Sequence, residues 1–134
     1  MNKLLLVFIV LIKGLILQAQ NELSEKQTQT ELLEFYKQYI TIVASGYSEN
    51  KSTFLKKKYC TKNLIAKLPQ LIEECDCDPF LKAQDSNIRF LRTLSIKQAK
   101  EPNTYKVSYI ADDRIIINLT VIKQNKSVTI ARIW

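Results

Sequence analysis

The chain segment richest in side chains that could do chemistry is Glu73-Glu74-Cys75-Asp76-Cys77-Asp78-Pro79-Phe80-Leu81-Lys82-Ala83-Gln84-Asp85, where five carboxylates and two thiols fall in an otherwise basic sequence. Its residue types suit three kinds of chemistry. Asp76, Asp78 and Asp85 offer hard oxygen ligands for calcium, but the spacing lacks the glycine turn and the terminal bidentate Glu of an EF-hand loop. Zinc would use Cys75 and Cys77, yet the chain has no His and only Cys60 to complete a set. Acid–base catalysis by a carboxylate pair requires environments that split the two pKa values, which residue order alone does not show. There is no nucleophile elbow and no phosphate-cradling glycine loop. The expectation is therefore no metal, no cofactor and no catalytic residue. The plain mechanical reading is that Asp78 before Pro79 starts a turn, Asp76 or Asp78 caps backbone N–H groups, and Phe80 and Leu81 plug the junction between layers.

The elements that must position this segment are legible on either side of it. Leu32, Phe35, Tyr36, Tyr39, Ile40 and Val43 recur at three-and-four spacing and predict a long amphipathic helix. Ser24 with Gln27, or Thr28 with Glu31, could form its capping box, and Gly46 stands where a glycine ends a helix. Ser52 to Tyr59 predicts a second helical piece, with Lys56, Lys57 and Lys58 as its solvated side. Thr61 opens a third piece bearing Leu64, Ile65 and Leu68, with Pro69 ending or bending it and Leu71 and Ile72 able to continue it toward Glu74. From about Phe90 the period becomes alternating. Residues 91–99, 104–111, 115–123 and 127–134 read as strands rich in Val, Ile, Thr and Tyr, joined by Glu101-Pro102-Asn103, Asp112-Asp113 and Gln124-Asn125-Lys126. Short turns join antiparallel neighbours, so the prediction is an α+β domain with the helices on one face of a four-stranded meander.

The N-terminus reads as a secretory leader: Lys3 in a short positive region, the apolar run Leu4–Ile12, then Leu17-Gln18-Ala19 before polar Gln20. Cleavage after Ala19 gives residues 1–19 as signal peptide and 20–134 as one domain in the periplasm or beyond. The first cysteine is Cys60, so a lipid attachment has no acceptor and no stable membrane anchor is expected. Lys3 and Lys13 leave with the leader, so 18 basic against 13 acidic residues make the mature charge +5. The bases are scattered and export removes the occasion, so nucleic acid is not an expected partner. The three cysteines allow at most one disulfide. Cys75 and Cys77 look too close to pair with each other, whereas Cys60 with either would close a loop of about 15 residues worth roughly 3 kcal/mol.

Asp76-Cys77-Asp78-Pro79-Phe80-Leu81 with Ala83-Gln84-Asp85, preceded by Tyr59-Cys60-Thr61 and by Phe35-Tyr36 in the opening helix, resembles the family called domain of unknown function 3828. The resemblance implies an exported bacterial protein with a cystatin-like or nuclear-transport-factor-2-like cone: a curved sheet wrapped on a long helix, with a small-ligand cavity. It marks Asp76, Asp78, Gln84 and Asp85 as the positions that matter, and makes Phe35, Tyr36 and Tyr39 cavity-lining candidates. It carries no established activity. The lipoprotein members bear a lipidation cysteine that this chain lacks, and the Cys75-x-Cys77 pair is not a mark of the family. The leading expectation is a non-catalytic binding or protein-interaction module for a small ligand or an envelope protein. Its rivals are an inhibitor or immunity-type protein acting through Glu73–Asp85, and a cone enzyme with Asp76, Asp78 or Asp85 as base beside Tyr36 or Tyr39.

Overall fold

The first helix, α1 (Glu25–Ala44), starts at the capping box formed by Ser24 and Gln27: the Ser24 hydroxyl accepts from the Gln27 N–H at 3.2 Å and the Gln27 side chain accepts from the Ser24 N–H at 3.0 Å. It ends through Gly46, whose positive φ of 94° a side chain would resist. The computed structural model describes residues 23–134, and the leader expected at 1–19 lies outside the described residues. Of the stripe expected from the sequence, Leu32, Phe35, Tyr36, Tyr39 and Ile40 are buried and Val43 is half-buried.

Helix α2 (Glu49–Tyr59) begins three residues earlier than its apolar spacing suggests, and α3 (Lys62–Cys75) opens with the Thr61 hydroxyl accepting from Leu64 N–H at 3.1 Å. Pro69 does not end α3. An internal proline costs about 3 kcal/mol, but Leu64 and Leu68 before it are buried and Leu71 beyond it is packed on the core, so burial holds both halves in register.

The strands β1 (Ser95–Gln98), β2 (Thr104–Ile110), β3 (Arg114–Gln124) and β4 (Ser127–Ile133) form one antiparallel sheet in the order β1-β2-β3-β4. The three helices cover one face of this curved, unclosed sheet, the α+β arrangement expected. The first strand is shorter than expected. Asn87 caps Arg89 N–H at 2.9 Å and turns Ile88–Arg92 into a 3-10 helix, which inserts Phe90 into the core, so pairing begins only at Ser95. β3 and β4 meet in a two-residue hairpin at Asn125 and Lys126, both with positive φ, the primed turn that matches strand twist.

Inward side chains alternate along the sheet: Tyr105, Val107 and Tyr109 on β2, Ile117, Leu119 and Val121 on β3, Val128 and Ile130 on β4. They meet α1 across a core dominated by aromatic rings, with Phe35 stacked on Tyr39 at 5.6 Å and Phe80 within 5.2 Å of Phe35. The α2–α3 junction closes part of the β4 edge: Cys60 bridges to Ile130 and Thr61 N–H donates to Ile130 C=O at 2.9 Å. At the far end Glu25 receives Lys123 Nζ at 2.6 Å and the Tyr105 hydroxyl, tying the start of α1 to the sheet.

Candidate functional site

The acidic segment begins in the last turn of α3, which holds Glu73, Glu74 and Cys75. Asp76 is the C-cap, in the left-handed region with φ 49°, a conformation Asp tolerates better than most residues. That turn brings the flanking side chains together, and Cys75 and Cys77 form a disulfide with a Cα–Cα distance of 5.1 Å. The expected partner, Cys60, is a free buried thiol on the β4 side of the core. The pairing expected from loop length is therefore corrected: the left-handed residue between the two cysteines folds them onto one side, and burial at the α2–α3 junction keeps Cys60 away. Burial also pushes the Cys60 thiol up to about 12.

Beyond the disulfide the backbone is tightly tied. Asp78 N–H donates to Ala83 C=O at 3.0 Å, and Asp78 C=O accepts from Leu81 N–H at 3.1 Å and Lys82 N–H at 2.7 Å. The Asp78 carboxylate fixes both sides of this turn: Oδ1 accepts from Phe80 N–H at 2.8 Å and Oδ2 from the Tyr39 hydroxyl at 2.6 Å. Burial holds the Asp78 carboxyl above its usual range, although the Tyr39 hydroxyl and the Phe80 amide pull it down. Burial also raises Tyr39, helped by the negative charge of Asp78. Phe80 and Leu81 are fully buried plugs, as the mechanical reading anticipated, and the Tyr109 hydroxyl donates to Leu81 C=O.

Of the aromatic candidates, Phe35 and Tyr36 are core rather than cavity wall, whereas Tyr39 lines a cleft. Phe35 and Tyr36 are fully buried within the aromatic cluster, and the Tyr36 hydroxyl has no hydrogen-bond partner among the described residues. Tyr39 is almost wholly buried yet borders that cleft. That cleft, open to solvent and about 370 Å³ in volume, is walled by Asp76, Asp78, Gln84, Lys56 and Tyr47 over a floor that includes Leu68 and Phe80. Gln84 reaches the Asp76 carboxylate at 3.4 Å, and Lys56 stands 5.6 Å over the Tyr39 ring. Three of the four expected loop residues thus meet at one cleft; Asp85 is exposed but is not part of its wall. Lys56 and Tyr47 were missed, because Lys56 lies within a lysine run whose members periodicity does not distinguish. No group of three His, Cys, Asp or Glu side chains placed to hold a metal occurs among the described residues. No helix among them is long and apolar enough to cross a membrane.

The assembly is a preorganised acidic rim beside a mixed-charge cleft, mounted on an α+β fold of helices over a curved, unclosed sheet. Among solved structures, the chain is similar to a protein of unknown function from Bacteroides thetaiotaomicron VPI-5482, with a TM-score of 0.73 and 27% identity over 82% of this chain and 90% of that one. It is also similar to a chain of the type VI effector-immunity complex Tae3-Tai3 from Ralstonia pickettii, with a TM-score of 0.57 and 16% identity over 79% of this chain and 93% of that one. The second likeness is one of fold. No family model and no curated protein matches the chain.

Proposed function

We propose that this chain is an exported, non-catalytic protein-binding module of the inhibitor or immunity type, whose contact surface is the acidic loop 73–85 and the cleft beside it. The observation that carries the reading is the fixed geometry of that loop. The Cys75–Cys77 disulfide, the Asp78–Ala83 bridge and the Tyr39 hydroxyl on Asp78 tie its backbone, while Glu73, Glu74, Asp76 and Asp85 stay exposed. A loop already ordered binds without the entropy cost of ordering, and clustered charge steers a basic partner. The neighbour from an effector-immunity complex supports the immunity-type reading through shared fold. With Asp78 as its base, a cone catalyst would need that carboxylate open to substrate, whereas both of its oxygens already serve the loop. The apolar leader and the disulfide support export, since disulfides persist outside the reducing cytoplasm. The proposal includes membership of the domain of unknown function 3828 family, whose matched residues Asp76, Asp78 and Gln84 surround the cleft.

The test is co-purification of tagged wild-type chain and of a Glu73→Lys, Glu74→Lys, Asp76→Lys variant from the envelope of the native host, followed by calorimetry with the purified partner. The expected result is one envelope protein recovered in stoichiometric amount with the wild type, and bound at least about tenfold more weakly by the variant, a difference of ~1.4 kcal/mol. A partner that binds both chains equally removes the loop from the interface. Recovery of a small molecule instead of a protein overturns the interaction reading.

A further inference from the structure

The face of the sheet that the helices leave uncovered carries a different chemistry from the loop. None of the four strands contains an Asp or Glu. Five cations lie on them, and only Lys123 turns inward, to Glu25; Lys97, Lys106, Arg114 and Arg132 are exposed. Lys97 and Lys106 are direct cross-strand partners. Like charges placed opposite each other destabilise a sheet, and no carboxylate on any strand relieves this pair. The row they begin continues through Asn118, opposite Lys106, to Trp134, whose backbone exchanges hydrogen bonds with Asn118 at 2.9 and 3.1 Å. Arg132 covers the Trp134 ring at 4.8 Å.

Between these cations stand Ile110, Ile116 and Ile122, exposed at 44%, 46% and 42%. Ser95, Lys97, Lys106, Ser108, Arg114 and Ile116 outline a depression of about 430 Å³ on this face. A polyanion such as nucleic acid is held by closely set cations tracking a backbone. Cations interleaved with half-exposed isoleucines and serine hydroxyls suit a protein surface that brings both carboxylates and aliphatic side chains.

We propose that the uncovered face of the sheet, centred on the Lys97–Lys106 pair, is a second docking surface, for an acidic segment of a partner protein in which Asp or Glu alternates with aliphatic residues. Carboxylates of that segment settle between Lys97, Lys106 and Arg114, and its aliphatic side chains cover Ile110 and Ile116. This surface is opposite in charge to the loop 73–85, and its assignment does not rest on the function proposed for that loop.

The experiment places the photo-cross-linker p-benzoylphenylalanine at Ser108, in the depression, in the full chain produced in its native host, with and without Lys97→Glu. That substitution converts a repulsive cross-strand pair into an attractive one, so the thermal midpoint is expected to hold or rise and loss of binding cannot be assigned to unfolding. The expected result is one saturable protein adduct, whose cross-linked peptide is rich in Asp or Glu, with a yield at least fivefold lower in the Lys97→Glu chain. Charge reversal of Glu73, Glu74 and Asp76 leaves this adduct unchanged. A cross-link to nucleic acid, to lipid or to a second copy of this chain, an adduct indifferent to Lys97→Glu, or no adduct overturns the proposal.

Discussion

The Tyr39 hydroxyl donates to Asp78 Oδ2 at 2.6 Å across 39 residues of sequence, and this bond joins the packing of Phe80 on Phe35 and Tyr39 in fastening the acidic loop to α1. Asp78 also accepts from the Phe80 amide, so its removal strands a buried phenol and a backbone donor together. Asp78→Ala is expected to cost roughly 2–4 kcal/mol, and Tyr39→Phe, which leaves the carboxylate its backbone partner, roughly 1–2 kcal/mol. Urea unfolding of the two single variants and the double variant measures this. Strict additivity of the two losses would show that the hydroxyl and the carboxylate do not act as a pair.

Asp78 and Glu25 are expected to shift stability with pH in opposite directions. Burial raises the folded-state pKa of Asp78 above its ordinary 3.8, so the folded chain binds its proton more readily than the unfolded chain. That contribution is fully present below 3.8 and is lost as pH rises through the folded-state value. The stability of the wild type relative to Asp78→Asn should therefore increase as pH falls from 7 toward 4. Glu25 is lowered from 4.5, chiefly by Lys123 and the Tyr105 hydroxyl. Its contribution is present above 4.5 and is lost as pH falls through the lowered value, so the advantage of wild type over Glu25→Gln should shrink on acidification. Denaturation series at several pH values give both slopes, and equal signs would contradict the two environments described.

Local rules carried much of the architecture. The stripe from Leu32 to Ile40, the Ser24–Gln27 box, the Thr61 cap and the turn at Asn125 and Lys126 all depend on neighbours within a few residues, and each is where its residues indicate. Beyond that range tertiary contacts decide. Phe90 and Leu91 look like strand residues, but the Asn87 cap diverts them into a 3-10 helix, and the choice between Pro69 ending its helix and the helix continuing through it is made by tertiary burial. Loop length favoured Cys60 as a disulfide partner because it carries no information on which residue turns left-handed at 76. Asp76, Asp78 and Gln84 were recognisable as a group, whereas Lys56 and Tyr47 join their cleft only through the packing of α2 on α1.

The cysteine arrangement predicts a stepwise alkylation pattern. Cys60 is 5% exposed and its thiol is pushed up to about 12, so the native protein should take up no alkylating reagent at pH 8. Unfolding without reductant should expose one thiol, and unfolding with reductant all three. Intact mass reads these steps and also tests the leader, since cleavage after Ala19 gives a chain beginning at Gln20. Replacing both Cys75 and Cys77 by Ser should cost no more than about 1.5 kcal/mol, because so short a loop removes little freedom from the unfolded chain. A loss near the ~3 kcal/mol of a 15-residue loop would point to a different pairing.

Two buried tyrosines, Tyr36 on α1 and Tyr109 on β2, face each other's layers with unlike hydroxyl environments. The Tyr36 hydroxyl is fully buried without a partner among the described residues, whereas the Tyr109 hydroxyl donates to Leu81 C=O in the turn that follows Asp78. Phenylalanine at position 36 removes an uncompensated polar group and keeps the ring against Phe35, so Tyr36→Phe should leave stability unchanged or raise it by up to ~1 kcal/mol. Tyr109→Phe keeps the stack on Phe90 at 4.6 Å but leaves Leu81 C=O unpaired, at a cost of roughly 1–2 kcal/mol. Because that carbonyl belongs to the segment that Asp78 ties down, the loss should extend to the loop itself. Amide exchange at Leu81 and Lys82, whose N–H groups both donate to Asp78 C=O, should quicken in Tyr109→Phe and remain unchanged in Tyr36→Phe. Equal protection in the two variants would mean that the loop is held from α1 alone, by Tyr39, and that the sheet contributes nothing to its rigidity.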